Sequence, residues 1–155
     1  MDNKMKNDSY KTFGIMLIIS FCIMYAVMFL NVDKADHIYL SLSRLYMSLL
    51  MVSPMAILML ILMKMMYKDK KTNKIIAVIS ISVFILSLIL VRTQTPIGDK
   101  QYMKAMIPHH SSAILTSKHA DIKDPEVKEL SEKIIKSQEE EIAQMKAILE
   151  RMDNE

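Results

Sequence analysis

Residues 12–32 read TFGIMLIISFCIMYAVMFLNV and contain no charged side chain. Two further apolar runs follow: LYMSLLMVSPMAILMLILMKMM at 45–66, charged only at Lys64, and IIAVISISVFILSLILV at 75–91, which is uncharged. An α-helix needs about 20 apolar residues, with a range of about 17–25, to cross the hydrocarbon core of a bilayer. The three runs therefore predict a membrane domain over residues 12–92, with spans at about 12–32, 45–66 and 75–91.

The composition of the 155 residues excludes several classes of protein. One cysteine cannot form an intramolecular disulfide or a multi-cysteine metal site, and two glycines are too few for a phosphate-binding or dinucleotide-binding loop. Residues 1–92 carry eleven basic and five acidic side chains, whereas residues 93–155 carry nine and twelve. Because the basic excess lies beside the apolar runs, we expect membrane lipid and no nucleic acid as a partner.

The distribution of lysines predicts the orientation of the chain in a cell membrane. Three lysines lie in residues 1–11 and five in residues 64–74, whereas the loop between the first two runs has only Lys34. Basic residues are enriched in cytoplasmic loops. We therefore expect a multi-pass protein with a cytoplasmic N-terminal tail at 1–11 and an extracytoplasmic domain at 99–155.

After the third run the pattern changes from continuously apolar to amphipathic. TQTPIG at 93–98 contains Pro and Gly and predicts a linker. Asp124 is a good helix N-cap and Pro125 fits the first helical position, which predicts a helix that continues to about Met152. Two helices joined by a short turn pack antiparallel. The fold class is therefore predicted as all-α: three transmembrane helices, then an antiparallel helical hairpin over 99–155.

The two helices of this hairpin each have a predicted apolar face. On the first helix, Pro108 leaves two alternatives, a kink within one helix or the first turn of a helix that begins near Ile107. Its face is Met103, Met106, His110, Ile114 and Ser117. The face of the second helix is Val127, Leu130, Ile134, Met145, Ile148, Leu149 and Met152, flanked by Ile142. Gln138 and Glu141 fall inside this second face, where a polar group is costly unless it has a partner.

Thioether and imidazole groups concentrate on these faces and form a candidate metal site. Thioether sulfur favours soft ions, so copper, and Cu(I) above all, is the predicted ligand. Carboxylate and amide groups can orient imidazoles that bind a metal, a role open to Gln138 and Glu141. The alternative is a Met-lined core with hydrogen-bonded histidines. The candidate ligands are Met103, Met106, His109, His110 and Met145.

Two separated motifs resemble a known family. MKAMIPHHSSAILTSKHA at 103–120 and DPEVKELSEKIIKSQEEEIAQMKAIL at 124–149 are similar to the two motifs of family 305 of the domains of unknown function. The resemblance covers about residues 99–152 and leaves the apolar runs outside it. It implies a ferritin-like helical bundle, of which the hairpin is half, usually exported and in some members copper-binding through Met and His.

The resemblance also assigns residues by position. Ser111 stands where the family usually has Gln, and Leu115 where many members have Met, so part of a ligand set is absent. The first motif is matched by Met106, His109 and His110, and the second by Gln138, Glu141 and Met145.

Two functions follow from these patterns. The first is a membrane-anchored extracytoplasmic protein that captures, buffers or confers resistance to copper and can pass it to a metal-handling partner. The alternative is a metal-free helical interaction module that forms a homo-oligomer through the hairpin or docks on a membrane partner. An enzyme is not expected, because no nucleophile–base pair or paired carboxylates stand out.

Methionines and one more histidine allow further predictions. Met47, Met51, Met55, Met59 and Met63 recur every fourth residue through the second run, which suits either a soft-metal path or simple packing. His37 lies near the start of the second run and is interpreted as an ordinary interfacial polar residue.

Overall fold

The computed structural model describes residues 3–154, and all regular structure in this range is helical. A short 3-10 helix covers Ala35–His37, and the described residues contain no strand, which confirms the all-α prediction. Met1, Asp2 and Glu155, at the ends of the predicted segments 1–11 and 99–155, lie outside the described residues. The α-helices are α1 (Asn3–Val27), α2 (Leu42–Leu62), α3 (Lys70–Thr93), α4 (Asp99–His119) and α5 (Pro125–Asp153).

Helices α1, α2 and α3 contain the three apolar runs. The apolar segments comprise 20 residues of α1, 21 of α2 and 24 of α3, enough in length and composition to cross a membrane. Large apolar side chains along them are exposed, among them Ile18, Leu62 and Ile79. Such exposure suits a lipid environment, where apolar side chains need not be hidden from water. The prediction of three candidate spans is confirmed.

The ends of these helices differ from the predicted ends. Helix α1 begins at Asn3, inside the predicted tail, and ends at Val27 instead of Val32. Helix α3 begins at Lys70 because the Asp69 carboxylate caps it, accepting the N–H groups of the second and third helical residues at 2.9 and 3.2 Å. Hydropathy locates the apolar centre of a helix, whereas capping and packing fix its ends.

The chain divides into two compact units, and the first contains α1, α2 and α3. It comprises α1 as far as Ala26 together with Ser43–Pro96. The hydroxyl of Tyr10 donates to Asn73 Oδ1 at 2.6 Å and joins α1 to α3. The small core between the helices is formed by Phe13, Ala56, Met59, Leu60 and Tyr67.

The methionines that recur in α2 fall into two groups. Met59 is buried in this core, and Met55 and Met63 pack against it. Met47 and Met51 are exposed. Packing therefore accounts for three of the five residues, as expected of a flexible side chain that fills gaps between helices.

The second unit joins α4 and α5 to a segment from the other end of the sequence. It comprises Val27–Leu42, which we call the strap, and the residues from Ile97 onward. The sequence predicts the region 99–155 as a domain by itself, without the strap. Tyr39 of the strap packs against the core of this unit, whose buried members are Met103, Ile107, Ile114, Ile142 and Leu149.

Helices α4 and α5 pack against each other and run in opposite directions. Lys100, in the first turn of α4, pairs with Asp153 at the end of α5 at 2.8 Å. At the other end, the Ser131 hydroxyl donates to the Ser117 carbonyl at 3.3 Å. This arrangement, which we call the α4–α5 pair, brings side chains from distant parts of the sequence together.

Helix α5 begins as its sequence predicts but buries a different face. The Asp124 carboxylate accepts the N–H groups of Glu126 and Val127, and the helix begins at Pro125. The predicted face is wrong in its first half, since Val127 and Leu130 are exposed. Its second half is confirmed, since Met145, Ile148, Leu149 and Met152 all pack in the core. The other packed positions are Ser131, Ile135 and Ile142. Ile142, predicted as a flanking residue, is therefore central.

Helix α4 passes through Pro108 without ending. The alternative of a helix that begins near Ile107 is wrong, because α4 begins at Asp99 and continues to His119. The ring of Pro108 is itself buried. One unbroken helix keeps Met103, His110 and Ile114 in a single helical register.

Candidate functional site

The structure distributes the predicted ligands of α4 over different depths. Met103 is buried, Met106 and His110 are half-buried, and His109 is exposed. Met103 and His110 are seven residues apart, about 10 Å along the helix axis at about 1.5 Å per residue. They therefore lie at different levels of the α4–α5 pair, each facing a different part of α5.

Three methionines line one cavity at the level of Met103. The cavity has a volume of about 440 Å³ and lies between the start of α4 and the end of α5. Met103 comes from α4, and Met145 and Met152 come from α5. Met152 is predicted from the sequence on the apolar face but not as one of the candidate ligands, although it lines this cavity with two of them. Its spacing of seven from Met145 is the signal that could have identified it.

The same cavity has a polar rim. Asp99, Gln144 and Arg151 line it together with Tyr102. More than half of the Tyr102 side chain is exposed, at 55 %. The cavity thus combines three thioether side chains, which are soft donors, with charged and polar groups at its rim.

His110 lies beside Glu141, about two helical turns further along α4 than Met103. Nδ1 of His110 lies 3.0 Å from Oε2 of Glu141. The approach lacks hydrogen-bond geometry, so Nδ1 is buried without a hydrogen-bond partner among the described residues. Burial lowers the pKa of His110, the Glu141 carboxylate acts against this shift, and His109 adds to it. The lowered pKa favours the neutral ring near pH 7, in which one of the two ring nitrogens has a lone pair.

The two polar residues predicted inside the face of α5 are half-buried. The Ser137 hydroxyl donates to Glu141 Oε1 at 2.9 Å, which leaves Oε2 directed at His110. Gln138 occupies the position between Ile135 and Ile142 in the packed register. A polar layer thus interrupts the apolar core halfway along the pair.

The five predicted ligands do not converge on one point. Met103 and Met145 share the cavity, and His110 pairs with Glu141. The His109 ring lies 6.1 Å from that of His110, and Met106 is not among the residues that line the cavity. Within residues 3–154, no group of three or more His, Cys, Asp or Glu side chains has the geometry to hold a metal ion.

A histidine outside the predicted site is the most enclosed of the four. His37 of the strap is 6 % exposed, so its interpretation as an ordinary interfacial residue is wrong. Its Nδ1 lies 2.8 Å from Oγ of Ser111, a fully buried residue of α4. The backbone N–H of Asp33 donates to the same oxygen at 2.7 Å. Ser111 is shorter than the Gln that the family usually has at this position, and the shorter side chain leaves room for the strap.

Charged pairs fasten the strap to both helices. Lys118 of α4 contacts Asp33 at 3.0 Å, and Lys146 of α5 contacts Asp36. Asn31 also donates to the Ser112 hydroxyl at 2.9 Å. Alternation of Asp and Lys at 33–36 is the only sequence signal of this docking, and it is equally typical of a solvated loop.

We predict that Ser111→Gln destabilises the second unit by about 1–3 kcal/mol, because the longer side chain overpacks a site that His37 and Asp33 occupy. Thermal unfolding of the full chain in detergent, with hydrogen exchange of the strap amides, measures this effect. Thr116→Gln on the exposed side of α4 is the control, with a change of less than about 0.5 kcal/mol. Wild-type stability and wild-type protection of the strap in Ser111→Gln would contradict the prediction.

Comparison with known proteins agrees with the resemblance in the sequence. The family model described as "Domain of unknown function (DUF305)" matches residues 88–154, which include all of α4 and α5 and the end of α3. No solved structure matches the chain. The chain is also similar to "Uncharacterized protein L153" of Acanthamoeba polyphaga mimivirus, with 42 % identity over 139 residues, 88 % of this chain and 90 % of the relative. Residues 88–154 therefore belong to family 305 of the domains of unknown function.

Proposed function

We propose that the chain is a membrane-anchored protein whose α4–α5 pair binds Cu(I) outside the cytoplasm, for capture, buffering or resistance. The donors in this proposal are the thioethers of Met103, Met145 and Met152, with the imidazole of His110 one level away. The observation that carries it is the cavity lined by three methionines from two helices. The role proposed for the chain is binding and not catalysis.

The chemistry of the donors fits Cu(I) better than harder ions. Thioether sulfur is a soft, neutral ligand that suits Cu(I), whereas Mg²⁺, Ca²⁺ and Mn²⁺ prefer carboxylate and carbonyl oxygen. A neutral His110 is a second kind of donor that Cu(I) accepts: with the proton on Nδ1 toward Glu141, the lone pair is on Nε2. Glu141, which lies beside Nδ1, would orient the ring and stabilise a nearby positive charge. The roles of Met106 and His109 as metal ligands remain predictions from the sequence.

The composition of the second unit supports the proposed topology. If α1, α2 and α3 each cross the membrane once, the strap and the α4–α5 pair must lie on the same side of it. The strap packs with α4 and α5 in one unit, as this topology requires. The lysines of 64–74 belong to the opposite side, which the bias of basic residues makes cytoplasmic.

We predict that Lys34→Cys is labelled by a membrane-impermeant maleimide in intact cells, whereas Lys71→Cys is labelled only after permeabilisation. Both positions are exposed, and both variants carry Cys22→Ser to remove the single native thiol. In the proposed topology the loop before α2, with Lys34, is extracytoplasmic, and the loop after α2, near Lys71, is cytoplasmic. The reverse labelling pattern would contradict the proposed orientation.

A second candidate function is a metal-free interaction module. Val127 and Leu130 of α5 are exposed apolar residues in an otherwise charged stretch. A second copy could cover them and complete a four-helix, ferritin-like bundle, since two helices alone have little core. The His110–Glu141 level would then be a polar layer that sets the register of the pair.

A competition titration separates the two functions. The purified full chain in detergent is titrated with Cu(I) against a Cu(I) chelator of known affinity. The metal-binding proposal predicts one ion bound per chain in preference to the chelator, with no need for a change in oligomeric state. The interaction module predicts that the chelator retains all the Cu(I) while the chain elutes as a dimer in size-exclusion chromatography with light scattering.

A further inference from the structure

The strap has a buried ionisable group at its centre. His37 is enclosed between the strap and α4, with its Nδ1 against the Ser111 hydroxyl at 2.8 Å. A neutral ring can accept the Ser111 proton at Nδ1 while the same oxygen accepts the Asp33 N–H. Ser111, the hydrogen-bond partner of His37, is not among the donors of the proposed copper site.

The surroundings of His37 disfavour its charged form. Burial is the largest influence and lowers the pKa of His37 from its ordinary value of 6.5. Lys146 of α5 lowers it further, and Asp36, whose Oδ1 is 3.9 Å from Nε2, opposes the shift. The charged groups that face this region are Lys146 from α5, Lys118 from α4 through its pair with Asp33, and Asp33, Lys34 and Asp36 from the strap itself.

We propose that the strap is a pH-operated clasp, docked on the α4–α5 pair while His37 is neutral and released when His37 takes up a proton. A charged imidazole inside this contact loses hydration and lies near the Lys146 ammonium group, so protonation favours the solvated, undocked strap. The Lys118–Asp33 and Lys146–Asp36 pairs involve partly exposed lysines, and such pairs contribute little.

The direction of the pH effect follows from the lowered pKa. Docking is at full strength above about pH 6.5, where His37 is neutral in both states. It weakens as the pH falls below this value, because the undocked strap binds a proton more readily. Release uncovers the Ser111 side of α4 and removes Tyr39 from the core that contains Met103. This inference does not depend on copper binding.

A distance measurement on the full chain tests the clasp. Spin labels are attached to Lys34→Cys on the strap and Glu132→Cys on α5, both exposed positions, in a Cys22→Ser background. Pulsed electron–electron double resonance in lipid nanodiscs without added metal then gives the distribution of distances between the two spin labels. We expect one narrow distribution at about pH 7.5 and a broad, longer one at about pH 5. A distribution that stays narrow at the lower pH would overturn the proposal.

Two substitutions assign the response to His37. In His37→Gln the amide oxygen can still accept a hydrogen bond from the Ser111 hydroxyl, and the side chain cannot gain a charge. The distribution of label distances in this variant should therefore be narrow at both pH values. Ser111→Ala removes the hydrogen-bond partner and should move the midpoint of release to higher pH. The matched control is Lys123→Gln, which removes a solvent-exposed ion pair with Asp121 outside the strap and should leave the midpoint nearly unchanged.

The outcomes of the two substitutions are decisive together. If His37→Gln shows the same broadening at low pH as the wild type, another group drives release and the proposal is wrong. If the strap of His37→Gln is undocked at both pH values, the pH of half-release in Ser111→Ala decides whether the clasp proposal stands. An upward shift of that midpoint then supports the clasp, and an unchanged midpoint refutes it.

Discussion

Replacement of Met103, Met145 and Met152 by leucine should lower the Cu(I) affinity of the full chain by a factor on the order of 100 or more. The three thioethers line one cavity, and leucine has no donor atom to replace them. A tenfold change corresponds to about 1.4 kcal/mol, so the expected loss is at least about 3 kcal/mol of binding free energy. Competition with a Cu(I) chelator measures it directly.

The fold should survive this substitution. Exchange of Met for Leu nearly conserves volume and usually costs less than about 1.5 kcal/mol per site. The matched control replaces Met47, Met51 and Met65, three exposed methionines outside the second unit, and should keep the wild-type affinity. An equal loss of affinity in the control, or no difference between wild type and the cavity variant, would refute the proposed site.

Truncation of the core of the α4–α5 pair should have the largest effect on stability. Ile107 and Ile114 are fully buried on α4, and replacement of either by alanine should cost about 2–5 kcal/mol. The loss combines the transfer of buried methyl and methylene groups with the cavity that remains. Hydrogen exchange of the α4 and α5 amides in the full chain measures the free energy of opening of this pair.

Leu130→Ala is the control for this prediction because Leu130 is 57 % exposed on α5. Its expected cost is less than about 0.5 kcal/mol. The comparison also tests the packed register of α5, since the sequence places Leu130 on the buried face. A Leu130→Ala variant as unstable as Ile114→Ala would favour the predicted face over the observed one.

Much of the helical architecture can be predicted from local sequence. Three apolar runs of sufficient length identify α1, α2 and α3 because hydropathy and length depend only on the run itself. The start of α5 is equally local, since the Asp124 carboxylate and the Pro125 ring act within one turn. These features need no knowledge of what packs against them.

The buried face of α5 is harder to predict, because several helical faces have similar apolar content. Leu130 and Ile134 suggest one face, whereas Ser131 and Ile135 define the packed one. Ser131 is buried because its hydroxyl reaches the Ser117 carbonyl on α4, a contact that hydrophobicity does not encode. A small polar residue can thus fix the register where apolar residues leave it open.

The docking of the strap could not be predicted from the sequence. His37 and Ser111 are separated by 74 positions, and neither belongs to a motif with a structural role. Likewise, the thioether cavity depends on the antiparallel order of α4 and α5, which brings Met103 beside Met152. Tertiary contacts of this kind become visible only when the helices are placed in space.

X-ray absorption spectroscopy of the Cu(I)-loaded full chain tests the central claim most directly, because sulfur and nitrogen neighbours of copper scatter differently. The account predicts a shell dominated by sulfur that disappears when Met103, Met145 and Met152 are replaced by leucine. A shell of nitrogen and oxygen alone, or a sulfur shell that persists in that variant, would contradict it.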